Sequence, residues 1–274
     1  MDILGSKTAN KALLALVLAL TYLFLYVPIL HITLASFSDD IVWPYPIRFT
    51  WDAYTALFTS SIYAEALWNS LLLGFGTAVL STTLATIAVL GLLKYRSRWK
   101  GLILFLFVAP LFVADVLLGI STLILNGLFL DIPGNIWSAI LANTVRAFTY
   151  ALLIIATQLF RYNWKLDDAA MVFGAGPVRT FFEITLPNIW PALLGAFITT
   201  FILSFNNLDI SFYTLGAVPT MPSVAWGSLR FGIKPELYAI AALVNAGVLL
   251  CLAVMFGLMR TGTVGFGFKE GRDD

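Results

Sequence analysis

Six apolar stretches, at about 12–35, 66–93, 101–130, 136–160, 190–214 and 236–259, run through this chain of 274 residues. Each is near or above the ~20 residues a helix needs to cross the hydrocarbon core of a bilayer. Charged residues make up 11% of the chain and hydrophobic ones 60%, against about 25% charged in an ordinary soluble domain. The natural solvent is therefore lipid. A backbone in lipid must satisfy its own hydrogen bonds, so the spans are expected to be helices. The first stretch is too long for a signal-peptide core and no clean cleavage site follows it, so it reads as an anchor that stays. The expectation is an all-α membrane protein, one transmembrane domain over 1–274 with six transmembrane helices.

Lys and Arg set the orientation. With the N-terminus inside, cytoplasmic segments hold twelve of them: Lys7, Lys11, Lys94, Arg96, Arg98, Lys100, Arg161, Lys165, Arg179, Arg260, Lys269 and Arg272. The outer loops hold three, Arg48, Arg230 and Lys234, and Arg146 falls inside a span. Both termini are expected in the cytoplasm. The formal net charge is +1, so nothing points to nucleic acid. The single Cys251 rules out an intrachain disulfide or a cysteine zinc site. No Gly-Lys dipeptide occurs, so there is no P-loop, and any ATP hydrolysis must happen on a partner chain. His31, the only histidine, sits late in the first span and reads as a hydrogen-bonded structural residue rather than a base.

Three segments outside the spans are long enough to have structure of their own. Residues 37–65 form the first outer loop, with Trp43, Pro44, Pro46 and Trp51. Tryptophan suits the interface there, and Asp52 to Leu57 reads as a short helix with Thr50 as its N-cap. Residues 215–235 form a last outer loop rich in Gly and Pro. The third segment, 162–189, is cytoplasmic. Asp167 and Asp168 open a short helix where negative charge favours the dipole. Ala169 and Ala170 keep one surface small for a partner's close approach. Gly174-Ala175-Gly176 supplies the positive φ that ends a helix. Pro177 suits the first turn of a second helix, and Pro187 is expected to break the chain before the next span. Two short helices with a sharp turn would make a rigid knob.

Within that knob, Asp168-Ala169-Ala170, then three residues, Gly174, nine residues and Ile184-Thr185-Leu186-Pro187 follow one another. The pattern resembles the E-A-A-x3-G-x9-I-x-L-P loop of the membrane subunits of bacterial ABC importers, with Asp for the usual Glu. The resemblance extends along the chain to the PotC-like branch of spermidine/putrescine-type importers. Val27-Pro28-Ile29-Leu30 leads to Ser36-Phe37-Ser38. Asp115-Val116-Leu117-Leu118-Gly119-Ile120-Ser121 is similar to that branch's P-D-I-V-x-G-I-S, with Ala114 for Pro. Gly232-Ile233-Lys234-Pro235-Glu236 is similar to its G-V-x-P-E, before a last span opening with Ala239.

The resemblance implies a type I importer permease fold in the bacterial inner membrane, with two permease subunits around a central pathway. The second permease is usually a different chain. An ATPase dimer carrying ATP and Mg docks below, and a periplasmic substrate-binding protein above. Asp168, Ala169, Ala170, Gly174, Ile184, Leu186 and Pro187 would be the ATPase-coupling residues. The outer loops at 37–65 and 215–235 would meet the binding protein or cap the helices.

Two departures bear on substrate. The branch's Asp-Asp pair on the fifth span reads here as Asn206-Asn207, with Asp209 two residues later, and its Trp-Tyr reads as Ala53-Tyr54, with Trp51 nearby. A flexible polycation favours acids and aromatic faces, so this pathway is less anionic than the branch's. A charge inside a span costs about 2.5–3.5 kcal/mol on insertion scales and so pairs or lines a wet cavity. Asp115 lies fifteen residues beyond Lys100, and Arg146 fifteen before Arg161. On straight helices both lie roughly 22 Å above the cytoplasmic edge, which permits an ion pair. Asp209, nineteen residues beyond Trp190, lies at roughly 29 Å by the same rise.

Three readings stay open. Asp115 and Arg146 neutralise each other and touch no substrate; or Asp115 and Asp209 serve a cation; or Arg146 with the acids suits a zwitterion such as an opine or amino-acid conjugate. The polar run Asn206, Asn207, Ser211 and Thr214 either lines the pathway or glues helices together. Two other functions compete with an importer permease. A secondary transporter would leave the coupling pattern unexplained, and an ATPase-docking scaffold would move nothing.

Overall fold

The computed structural model describes residues 7–38, 48–94, 98–231 and 235–260. Trp43, Pro44, Pro46, Arg96, the Gly232-Ile233-Lys234 part of the last motif and the charged tail after Arg260 lie outside the described residues. Within them the chain is helical, with an isolated antiparallel bridge between Ser38 and Phe49 and no sheet.

The first apolar stretch is α1, Lys7–Ala35. The short helix α2 spans Asp52–Thr59. Thr50 does not cap it: the preceding residue is Trp51 and no side chain takes that role, so Asp52 in the first turn is left to complement the dipole. The second stretch is α3, Ser61–Lys94, which closes on a lysine suited to a helix C-terminus.

The third stretch is not one straight span. It comprises α4, Lys100–Val108, a tight turn Ala109–Phe112, and α5, Asp115–Ile124. The parts Lys100–Phe112 and Asp115–Leu130 meet at 99°. Pro110 brings no N–H to the ladder, and Val113 and Ala114 are extended, with ψ of 130° and 141°. The fourth stretch is α6, Ile136–Phe160, opened by Asn135, whose side chain accepts from Ser138 N–H.

In the segment 162–189, α7 covers Lys165–Val172. Contrary to the sequence expectation, Pro177 does not open a second, isolated helix. From Pro177 the chain stays helical to Phe205, and α8 is Pro177–Phe205. Pro187 does not break it. Its missing N–H and its ring are accommodated by a wider π turn, Phe181–Thr185, just before it. The fifth stretch breaks later instead, after Phe205, and resumes as the short helix α9, Asp209–Thr214. The segment 215–235 holds an eleven-residue helix, α10, Met221–Phe231. Helix α11, Pro235–Arg260, carries the sixth stretch.

Among the described residues four helices are long and apolar enough to cross a bilayer: Lys11–Ala35, Ser61–Lys94, Ile136–Phe160 and Pro177–Phe205. The bent pair makes a fifth if it forms one span. In α11 the apolar part is the shorter Pro235–Leu250.

The chain divides into two compact units. The smaller is Met1–Ala64 with Ala225–Leu249. There Ser36 Oγ and Tyr54 OH lie 2.7 Å apart, and Phe37 stacks on Phe49 and meets Trp51 and Tyr54. The larger, Glu65–Val224 with Leu250–Asp274, holds the packed core of α3, α6 and α8. Ala85, Val89, Ala151, Leu152, Ile155, Leu159, Ile189 and Ala196 form one cluster of it, and Leu73, Ala139, Ile140 and Leu215 a second. Lipid supplies no hydrophobic drive between helices, so small side chains and hydroxyl contacts hold them together. Ser204 Oγ donates to Thr77 Oγ1 at 3.0 Å, and Thr149 Oγ1 to the Phe107 carbonyl at 2.8 Å.

Candidate functional site

The two breaks create the site. The bend before Asp115 starts α5 at that residue, and the break at Asn206–Leu208 starts α9 at Asp209. Each helix thus opens with an acid in its first turn, where the dipole favours one. The two short helices cross closely at Gly119. A Cβ there would lie 3.0 Å from the Asp209 carbonyl oxygen and 3.1 Å from Ile210 Cα. Only glycine permits that approach.

A cavity of about 350 Å³ opens beside the crossing. All five intramembrane residues singled out from the sequence line it: Asp115, Arg146, Asn206, Asn207 and Asp209. The straight-helix arithmetic behind their depths does not hold, because both segments break. The Asp115–Arg146 ion pair forms nonetheless. Arg146 keeps 30% of its side chain exposed against 14% for Asp115, and its guanidinium also lies 5.8 Å from the Tyr150 ring centre.

Asn207 joins the two breaks. Its Nδ2 donates to Asp115 Oδ2 at 3.1 Å, and its Oδ1 accepts from Ile210 N–H at 2.8 Å. An amide does both, whereas an ionised carboxylate has no donor. An acid at this position would face Asp115 with a like charge. Asp115 is thereby engaged within the protein, while Asp209 and Asn206 are exposed. The polar run divides accordingly. Asn206 and Asn207 line the cavity. Ser211 and Thr214 are buried between helices, Ser211 accepting from Asn143 Nδ2 at 3.2 Å. Asn143 also lines the cavity, and the sequence reading misses it. Its spacing from Arg146, i to i+3, places both on one face of α6 and is the available signal.

The knob forms a second site. Gly174 has φ +90°, the left-handed conformation that ends α7, and Pro177 occupies the first turn of α8. Asp168 and Ala169 are exposed and Ala170 is half-buried. Ile184, Leu186 and Pro187 lie along the start of α8, Pro187 exposed and the other two half-buried. Val172 is 84% and Phe173 92% exposed, and Val178 and Phe182 are also open. A tip this apolar is expected to be covered by a partner.

The sequence places Asp167 only at the helix start, yet it is the anchored member of the acidic pair. Neighbours on a helix point about 100° apart, so one can turn inward while the other stays exposed. The Asp167 side chain is 3% exposed and pairs with Lys94 at 3.3 Å. It accepts from Tyr162 OH at 2.6 Å and from Thr185 Oγ1 at 3.1 Å. Burial, then the hydrogen bond to Asp167, pushes the Tyr162 phenol from 10.0 up to about 12.

No protein-family model matches the chain. It is 30% identical over 242 residues to the putrescine transport system permease protein PotI of Escherichia coli K12, covering 85% of each chain. It is 26% identical over 242 residues to the spermidine/putrescine transport system permease protein PotC of Haemophilus influenzae, covering 85% of this chain and 90% of that one. A solved bacterial ABC transporter involved in the import of the acidic polysaccharide alginate contains a chain of the same fold, with a TM-score of 0.70. That likeness covers 95% of this chain and 99% of the other at 15% identity.

Proposed function

This chain belongs to the PotC-like family of ABC importer permease subunits, and from that premise we propose that it forms half of a pathway for polyamines or related small amines. Permease subunits of this kind are not themselves enzymes. On this reading ATP and its Mg sit on a partner ATPase dimer, which docks on the knob through Asp168, Ala169, Ala170, Gly174, Ile184, Leu186 and Pro187. A second, different permease completes the pathway. A periplasmic binding protein delivers the solute to the outer face, and both termini lie in the cytoplasm.

The observation that carries the pathway is the cavity lined jointly by Asp115, Arg146, Asn206, Asn207 and Asp209. Charges inside a span are costly unless they pair or line a wet cavity; here Asp115 and Arg146 pair and all the charged members line the cavity. Asp209 is the exposed acid that would meet an ammonium group, with Asn206 as a neutral partner. The 30% exposure of Arg146 favours a second reading, a solute bearing a carboxylate as well as an amine.

The test is ATP-driven uptake by the complete importer in proteoliposomes. Labelled spermidine is compared with a zwitterionic opine or amino-acid conjugate, with Gly174→Asp as control. Gly174 needs φ +90°, which strains any residue with a Cβ by roughly 1–2 kcal/mol, so the variant should insert but lose uptake. Spermidine uptake lost in the control supports the polyamine reading. Uptake of the zwitterion alone moves the chain to the second reading, and normal uptake by Gly174→Asp overturns the coupling assignment.

A further inference from the structure

Asp167 lies away from the cavity and outside the loop motif, yet four segments of the larger unit meet at its carboxylate. Lys94 reaches it from the last turn of α3, Tyr162 from just beyond α6, and Thr185 from the π turn of α8. Asp167 itself belongs to α7, the helix that leads to the exposed tip. Trp164 closes the group. Its ring stands edge-on to Tyr162 at 5.0 Å, and Lys94 Nζ lies 5.4 Å from its centre.

A buried carboxylate persists only where donors satisfy it, and removal of one partner leaves the others desolvated and unpaired. The contacts on Asp167 are therefore coupled. Helix α7 has eight residues, about 12 Å of rigid rod at the α-helical rise. It carries Val172 and Phe173 outward at one end and the Asp167 cluster inward near the other. That cluster is where the buried side of α7 meets α3, the end of α6 and α8. The backbone itself joins α7 to α6 through residues 161–164 and to α8 through the turn at Gly174 and Ala175, so the Asp167 contacts are the side-chain tie to α3 and α8.

Resting on the reading of this segment as the ATPase dock, we propose that Asp167 is the positioning residue that transmits motion of α7 to α3, α6 and α8. Asp168 offers its charge to the partner. Asp167 ties the docked helix to the spans, and without that tie the ATPase turns over while the pathway does not follow.

The assembled importer in proteoliposomes tests this by parallel measurement of ATP hydrolysed and solute taken up. Asp167→Asn keeps the shape and removes the charge. It should leave hydrolysis within roughly twofold of wild type, the scatter of uncoupled sites, and lower solute moved per ATP by about tenfold, within the range for residues along a coupling network. Lys94→Met should reproduce the loss, and the double variant should be no worse than Asp167→Asn alone. Tyr162→Phe removes one hydrogen bond and keeps the ion pair, so it stays informative if Asp167→Asn fails to assemble; a partial loss per ATP is expected from it. An unchanged ratio of solute to ATP in these variants overturns the proposal. So does a proportional fall of both activities, or effects of Lys94→Met and Asp167→Asn that multiply. Absence of ATP hydrolysis stimulated by the wild-type permease would instead remove the reading of this segment as the ATPase dock, on which the proposal rests.

Discussion

Replacing Gly119 by alanine adds one methyl group where α5 crosses α9. The added carbon would sit 2.9 Å from Tyr213 Cδ2, 3.0 Å from the Asp209 carbonyl oxygen and 3.1 Å from Ile210 Cα. Carbon contacts are comfortable at about 3.5–4.0 Å. Tyr213 can turn aside, but the other two atoms are backbone, so α9 itself must retreat by roughly 0.4 Å or more to reach that distance. Overpacking of this kind costs about 1–3 kcal/mol.

The retreat also acts on the cavity. It pulls Asn207 from Asp115, whose 3.1 Å hydrogen bond is already on the long side, and it moves Asp209 within the lining. Gly119→Ala should therefore lower the thermal midpoint of the assembled importer and cut uptake by about tenfold, the equivalent of 1.4 kcal/mol. Gly91→Ala is the matched control, since a Cβ there meets nothing within 4 Å. Its stability should equal or exceed that of wild type, because alanine is the better helix former. Fluorescence-detected thermal scans and uptake assays on both variants decide the matter. If Gly119→Ala behaves like Gly91→Ala, the close crossing does not hold the cavity in shape and the reasoning fails.

Asn207→Asp places a second carboxylate against Asp115, a repulsion of about 4 kcal/mol for charges 4 Å apart at an effective dielectric of 20. The variant should melt earlier than wild type, and spermidine should restore more of the loss than it adds to wild type; equal spermidine shifts in both would count against a cation reaching this part of the cavity. Tyr162 is held protonated in the folded protein, so its contribution is complete below pH 10 and is lost as pH rises through about 12. An ultraviolet difference titration of wild type against Tyr162→Phe should show one phenol ionising near 12, and a missing phenol titrating near 10 would contradict the buried contact with Asp167.

Apolar length made the spans legible, because a continuous apolar stretch of ~20 residues crosses lipid with its backbone satisfied within itself only as a helix. The turn of the knob was legible too. Asp at a helix start, Gly at a positive φ and Pro in a first turn each have a backbone reason tied to the residue itself. The breaks in the third and fifth segments were not. Pro110 and the Asn206-Asn207 pair signalled them only weakly, because apolar runs on both sides read as continuous spans. Pro187 misled in the other direction, since the π turn that absorbs it depends on packing around Thr185. The five cavity residues were found by cost rather than geometry: polar groups in apolar runs stand out, whatever path the chain takes. Asp167 had no such contrast beside Asp168 in a polar loop, and only the folded arrangement separates the two.

The interruptions at Val113–Ala114 and Asn206–Leu208 carry a consequence for hydration. The first amides of a helix and the last carbonyls of the one before it have no partners within their own helices. In hydrocarbon such groups are tolerated only where they line a wet space or are buried in protein. On the proposed reading the cavity lined by Asp115 and Asn206–Asp209 is the wet space that serves these ends, and passage exchanges water for cargo rather than filling a void. Amide hydrogens around Asp115 and Asp209 should then exchange with deuterium far faster than those in the buried middle of α6.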